Sequence, residues 1–164
     1  MKKKPIPPKP GQESVWDYPR PPRLEPVSKH LEVWVAGVQL ASTNRGFRVL
    51  ETSHPPNYYF PPDDVALKYL TPSDRMTFCE WKGKGRYYHI QIGERLINDA
   101  VWYYSDPKGH FAPIKNYLSF YPALMDKCIV DGEIARPQAG GFYGGWITDD
   151  IVGPFKGEPG TWGW

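Results

Sequence analysis

The chain has 164 residues and a formal charge of +2, with 40% apolar and 23% charged side chains. That length suits one domain with its own hydrophobic core, and the composition excludes a disordered tail. No run of about 18 apolar residues occurs, which argues against a membrane helix.

Pro (19), Gly (16), Trp (7) and Tyr (11) are all abundant. A chain built this way is poor in long helices and rich in turns and aromatic packing. Met1-Lys2-Lys3-Lys4 is basic, but the prolines after it replace the apolar stretch of a secretory leader. The two cysteines, Cys79 and Cys128, form no Cys-x-x-Cys pair and read as thiols of a reducing compartment. Cytoplasmic localisation is therefore expected. Residues 1–30 hold seven Lys or Arg against three acids, whereas residues 31–164 hold thirteen against fifteen. The basic excess belongs to the leading arm, so no nucleic-acid partner is expected.

Residues 1–30 carry eight of the nineteen prolines and form a Pro-rich basic arm. Such an arm can be neither a helix nor an inner strand. Trp16 and Tyr18 within it are too large for a solvated linker, so one of them is expected to dock on the body. Residues 31–137 form that body. Leu31–Val38 alternates as a strand, Thr43–Gly46 is a turn signal, and Phe47–Thr52 is a second strand forming a hairpin with the first. Pro62-Asp63-Asp64 opens a short helix over about 62–70, with acids at its positive end.

Further strands follow at Thr77–Trp81, Arg86–Ile92, Asp99–Tyr104, Tyr117–Tyr121 and Lys127–Val130. Lys82–Gly85 turns the second of these back on the first. Asp131-Gly132 closes a hairpin with a short return strand through Ile134. The expected fold is mainly β. Residues 138–164 hold eight Gly and six aromatics, so they are expected to wrap the body as an irregular, ring-packed C-terminal arm.

Cys79-Glu80-Trp81-Lys82-Gly83-Lys84-Gly85-Arg86-Tyr87 resembles the Cys-x-x-Lys-Gly-x-Ala-x-Tyr signature of the domain of unknown function family number 427. Val49–Thr52, Pro56–Pro61 with Asp64, Val101–Tyr104 and Leu118–Tyr121 resemble its other segments in order. The two arms resemble those of its longer subfamily. Gly85 departs from the pattern, where Ala is usual. The resemblance implies a β-tent, with antiparallel sheets meeting at an angle. β-tent proteins often hold zinc through paired Cys-x-x-Cys motifs, which this chain lacks, so neither metal nor other cofactor is expected. The family is also labelled nucleotidyltransferase-like. That chemistry needs spaced carboxylates, whereas Asp63-Asp64 and Asp149-Asp150 are adjacent pairs that point to opposite faces of a strand.

Candidate site residues gather at strand ends. Glu51, His54, Tyr58 and Tyr59 follow one strand, and Glu80, Trp81 and Lys82 end another. The first reading is a metal-free domain that binds a small molecule or peptide in an aromatic cleft formed by Glu51, Tyr59, Glu80, Trp81, Lys82 and Trp146. Trp81, Trp102 and Trp146 form its expected cage, by analogy with β-tent relatives that hold small cyclic ligands between Trp rings. The plainer reading is an exposed ion pair over a Trp-rich core. Cys79 reads as a buried inert thiol, against the alternative of a nucleophile with His54 or His89 as base. A second function reading is a hydrolase or transferase using Glu51 or Glu80 with Lys82. A third is an interaction protein whose arms recruit partners or form a homodimer.

Overall fold

Leu31, Val33 and Val35 are buried while Glu32 and Trp34 between them keep partial exposure, so the alternation along this segment is the pleat of a strand over a core. A computed structural model describes residues 4–141 and 143–164. Met1–Lys3 and Phe142, one of the six rings counted in the C-terminal arm, lie outside the described residues.

The strands in chain order begin with β1 (Glu13–Ser14), β2 (Arg23–Val27), β3 (Leu31–Val35), β4 (Val38–Thr43), β5 (Gly46–Leu50) and β6 (Asn57–Tyr59). Three long strands follow: β7 (Leu70–Cys79), β8 (Gly83–Ile92) and β9 (Arg95–Tyr104). Short ones complete the chain: β10 (Ser119–Phe120), β11 (Lys127–Val130), β12 (Glu133–Ile134), β13 (Arg136–Pro137), β14 (Trp146–Ile147) and β15 (Ile151–Val152). Among the described residues they form two four-stranded antiparallel sheets, β10-β9-β8-β7 and β12-β11-β3-β4, and a three-stranded sheet, β2-β5-β6. Two ribbons, β1-β15 and β13-β14, involve the arms. The expected mainly β architecture is what the chain adopts.

Three local expectations need correction. The strand at residue 31 does not run to Val38: the chain reverses at Ala36 (φ 50°) and Gly37 (φ 77°), so β3 pairs with β4. Two consecutive positive φ values are the hairpin geometry that matches strand twist, and Gly37 takes its share without strain. Phe47–Leu50 consequently pairs with Arg23–Val27 on one side and Asn57–Tyr59 on the other. Pro26 is accommodated because β2 is an edge strand. Finally, residues 62–70 form no continuous helix. They make two single 3-10 turns, Pro62–Asp64 and Leu67–Tyr69, before Leu70 enters β7. Ala66 interrupts them by donating its N–H to the Leu40 carbonyl at 2.8 Å, which ties the segment to β4.

The main core lies between the two larger sheets and includes Leu31, Val33, Ile90, Val101, Phe120 and Cys128. Trp146 from the C-terminal arm is fully buried in it. Its ring centroid lies 5.0 Å from Tyr58 and 6.0 Å from Phe60, and its Nε1–H donates to the Phe120 carbonyl at 3.2 Å. A second cluster gathers Val49, Tyr59, Tyr87, Trp102, Tyr104, Phe111 and Ile114. A third, smaller one packs Val15 and Tyr18 of the leading arm on Leu50 and Ile151.

Both arms therefore dock on the body of their own chain. Trp16 donates its Nε1–H to the Pro154 carbonyl at 3.0 Å and sets its ring edge-on to Trp164 at 5.2 Å. Arg48 reinforces the N-terminal arm by reaching Glu13 at 3.0 Å, and it also binds Glu25 at 2.5 Å. No helix among the described residues is long and apolar enough to cross a membrane.

Two arm tryptophans thus occupy opposite environments. Trp146→Ala should lose about 3–5 kcal/mol in urea unfolding, because it opens a large void in the core. Trp162, 93% exposed, should tolerate the same change within about 0.5 kcal/mol.

Candidate functional site

The register of β8 against β9 places Tyr87 opposite Trp102 and Gly85 opposite Tyr104. Residues two apart on a strand share a face, so Trp102 and Tyr104 present their rings together on one side of the sheet. Tyr59 from β6 meets them from across: its hydroxyl accepts the Trp102 indole N–H at 3.2 Å, and its ring stands edge-on to Trp102 at 6.2 Å. Tyr121 packs on Trp102 at 4.5 Å. Burial drives the phenol pKa values of Tyr59, Tyr104 and Tyr121 upward, so these walls stay neutral across ordinary pH.

Over these rings lies a cavity of about 350 Å³. That lies at the small end of the range for ligand sites. Its wall combines Glu51, His54, Asn57 and Tyr59 with Cys79, Lys82, Tyr87, Trp102, Tyr104 and Tyr121. The C-terminal arm adds Gln138, Tyr143, Gly144 and Lys156. Gly144 permits this closure: a Cβ there would sit 2.3 Å from the Trp102 ring, so any side chain would force the arm off the sheet. Asn57 Oδ1 is buried in this wall and has no hydrogen-bond donor among the described residues.

The structure brings Glu51, Tyr59 and Lys82 together as expected, but it separates Glu80, Trp81 and Trp146 from them. Glu80 is exposed on the tight turn between β7 and β8. Trp81, next on that turn, packs against the second cluster without lining the cavity. Trp146 belongs to the main core. Of the three tryptophans expected to form a cage, only Trp102 faces the space. On so tight a turn, successive side chains diverge: Lys82 turns inward to 7% exposure while Glu80 faces solvent.

Lys82 carries its ammonium 5.4 Å from the Phe111 ring and 5.7 Å from the Tyr104 ring. Among the described residues no carboxylate pairs with it. Withdrawing an ammonium from water costs several kcal/mol, and two cation–π contacts return roughly 1–2 kcal/mol each.

His54 also lines the cavity. Its conformation is set by Ser53, which is fully buried at φ 73°. A non-glycine residue stays there only when its surroundings fix it. Here the Ser53 N–H donates to the Val15 carbonyl at 3.0 Å, and the Ser53 carbonyl accepts the Lys156 N–H at 2.9 Å, one bond from each arm. Gln138 then selects the imidazole tautomer. Its Oε1 accepts the Gly145 N–H at 3.2 Å, which turns Nε2 toward His54 Nδ1 at 3.2 Å and the Lys156 carbonyl at 2.7 Å. Nδ1 is thus the acceptor, and Nε2 carries the proton, 3.7 Å from Glu51 Oε2. Glu51 is itself paired with Arg20 at 3.3 Å.

Burial, followed by the charges of Lys156, Arg20 and Lys82, lowers the His54 pKa to about 4. Cys79 also lines the cavity and is only partly buried, so the expectation of a sequestered thiol is corrected for it. Cys128 is the sequestered one, its pKa pushed up by burial. His89 lies elsewhere: its Nδ1 accepts the Asp99 N–H at 3.0 Å, and it does not line the cavity. Among the described residues no group of three His, Cys, Asp or Glu side chains is placed to hold a metal ion.

The family model described as domain of unknown function (DUF427) matches residues 23–131, two thirds of the chain, and the chain belongs to that family. No curated protein matches it. Three of the side chains that carry the signature, Cys79, Lys82 and Tyr87, line the cavity. Gly85 of the signature backs it: a Cβ there would meet Thr77 Oγ1 at 2.6 Å, so an alanine requires Thr77 to rotate. Sequence reasoning undervalued Cys79, Tyr87 and Gln138. The signature spacing could have found the first two, whereas Gln138 had no local signal.

The depressed His54 pKa makes a pH prediction. The unfolded imidazole titrates near 6.5 and the folded one near 4, so between these values the unfolded state binds more protons. Stability is complete above pH 6.5 and falls as pH drops toward 4. Urea unfolding at pH 7.5 and 4.5 should show a loss of about 2 kcal/mol that is missing in His54→Asn.

Proposed function

We propose that this chain is a small-molecule-binding domain whose site is the aromatic-walled cavity between the β7-β8-β9 face and the C-terminal arm. One observation carries the reading. A half-closed space of ligand size collects a buried ammonium, a neutral imidazole, a partly buried thiol and seven Phe, Tyr or Trp rings, and these come from both the family core and the arm. Convergence of a few polar groups on an apolar concavity is the usual form of a binding site.

A peptide occupant fits this site less well than a compact molecule. The C-terminal arm closes over the rings and leaves a space of about 350 Å³, which suits a compact molecule. The acid–base alternative draws support from Glu51 and Lys82 sharing one wall, but Glu51 is tied to Arg20 and Glu80 faces solvent. The reading in which the arms recruit partners expects them to leave the body, whereas Val15, Tyr18 and Trp146 of the arms are buried in cis.

Cys79 supplies the test, since it lines the cavity and Cys128 does not. Iodoacetamide at pH 8 should label Cys79 in the folded protein and leave Cys128 untouched until unfolding. Fragments found by thermal shift should slow Cys79 labelling, and Cys79→Phe should abolish their effect by filling the space. Fragments that stabilise wild type and Cys79→Phe equally, and leave the labelling rate unchanged, would refute the reading.

A further inference from the structure

We infer that the cavity takes its ligand by an oxyanion group, a carboxylate or a phosphate, seated against Lys82 with Lys156 and the His54 Nε2–H on the same polar side. This rests on the binding reading above and names the ligand class.

The charges lining the space are unbalanced. Among the described residues they are Lys82, Lys156 and Glu51, and Glu51 is ion-paired with Arg20 outside the cavity wall. The Lys156 ammonium is taken up by the Trp164 main-chain oxygen at 2.8 Å and approaches the Trp162 carbonyl at 3.5 Å. Lys82, at 7% exposure, lies over the Phe111 and Tyr104 rings and has no carboxylate partner among the described residues. Ring faces stabilise a cation without cancelling its charge, so Lys82 leaves a positive field at this end of the cavity.

The same cations bear on His54. Besides its burial, Lys156, Arg20 and Lys82 each act against its protonation. Its tautomer, fixed by Gln138, presents an N–H and not a lone pair on the side of Glu51. An imidazole held neutral with an N–H available can donate to an anion, and that nitrogen offers no lone pair to a metal ion.

The rings pose the competing possibility. Tyr59, Tyr87, Trp102 and Tyr104 could by themselves wall a cage for a quaternary ammonium. The buried Lys82 ammonium disfavours that occupant, because like charges in a partly dehydrated space repel strongly. The rings then serve as the apolar wall against which the body of an anionic molecule lies.

Four probes of one shape decide the matter: benzoate, phenyl phosphate, neutral benzamide and cationic benzyltrimethylammonium. Each is titrated into ¹⁵N-labelled protein while the Trp102 indole and Gly144 amide resonances are followed. At least one anion should perturb these resonances with an affinity ten-fold or more above benzamide, and the cation should not bind. Benzoate against phenyl phosphate separates carboxylate from phosphate. Lys82→Gln should remove the anion preference, and Lys82→Arg should restore most of it. Raising NaCl from 50 to 500 mM should weaken the anion several-fold and leave benzamide unchanged. If benzamide or the cation binds at these resonances as tightly as the anions, the oxyanion inference falls and the cavity reading stands. If no probe moves them, and fragments also fail to protect Cys79, both fall. The wild-type series alone decides the charge preference, so a poorly folded Lys82 variant does not obscure the result.

Discussion

The site depends on the backbone of Ser53 being held in a left-handed conformation by both arms at once. Val15 takes its N–H and Lys156 donates to its carbonyl. A serine at φ 73° is costly by itself, by roughly 1 kcal/mol, and the structure retains it because two hydrogen bonds and full burial fix it from either side. That bend turns Glu51 and His54 onto the same rim. It also joins the leading arm to the trailing one, an association extended by the parallel pairing of β1 with β15. The same residue thus closes the fold and aims the polar half of the cavity.

The cavity then has a division of labour between the family core and the segments beyond it. Residues 23–131 supply the ring-lined floor, Cys79 and Lys82. The arms supply Arg20 against Glu51, Gln138 against His54, and Tyr143, Gly144 and Lys156 as the outer wall. A domain reduced to the core would keep the rings and the buried lysine but lose the imidazole's orienting partner. The core therefore fixes the kind of surface on which a ligand lies, and the arms fix how tightly it is enclosed and which polar groups meet it.

Burial gives this arrangement its electrostatic character. His54 is pushed to its neutral form by desolvation and by surrounding cations, while Lys82 rests on two aromatic faces. Charges in so confined a space are screened far less than on the surface. The surface ion pairs of this protein, such as Lys108 with Asp106, stand fully in solvent and have no such leverage. Cys79, half-buried beside these groups, is a reporter of the same environment.

The mainly β architecture, part of each central strand, the hairpin at Asp131-Gly132 and the docking of Trp16 or Tyr18 were readable from local pattern, though β7, β8 and β9 run longer than expected. Period-two burial, turn residues and ring content act over a few neighbours, and the structure keeps them. The signature around Cys79–Tyr87 also placed Lys82 and, with the strand end at Glu51 and Tyr59, half of the expected cleft. Pairing and direction were not readable. Ala36-Gly37 adds a reversal ahead of the turn at Thr43–Gly46, so β3 pairs with β4 and not with β5, and Ala66 broke the expected helix to reach Leu40. Glu80, Trp81 and Trp146 left the cleft because side chains on a tight turn diverge and because the largest ring was drawn to the most enclosed position. The sequence by itself determined which chemical groups the protein has and where its strands lie. Only the tertiary structure decided which groups meet, because that depends on contacts such as Gln138 with His54, 84 residues apart, whose energy exists only once the chain has closed on itself.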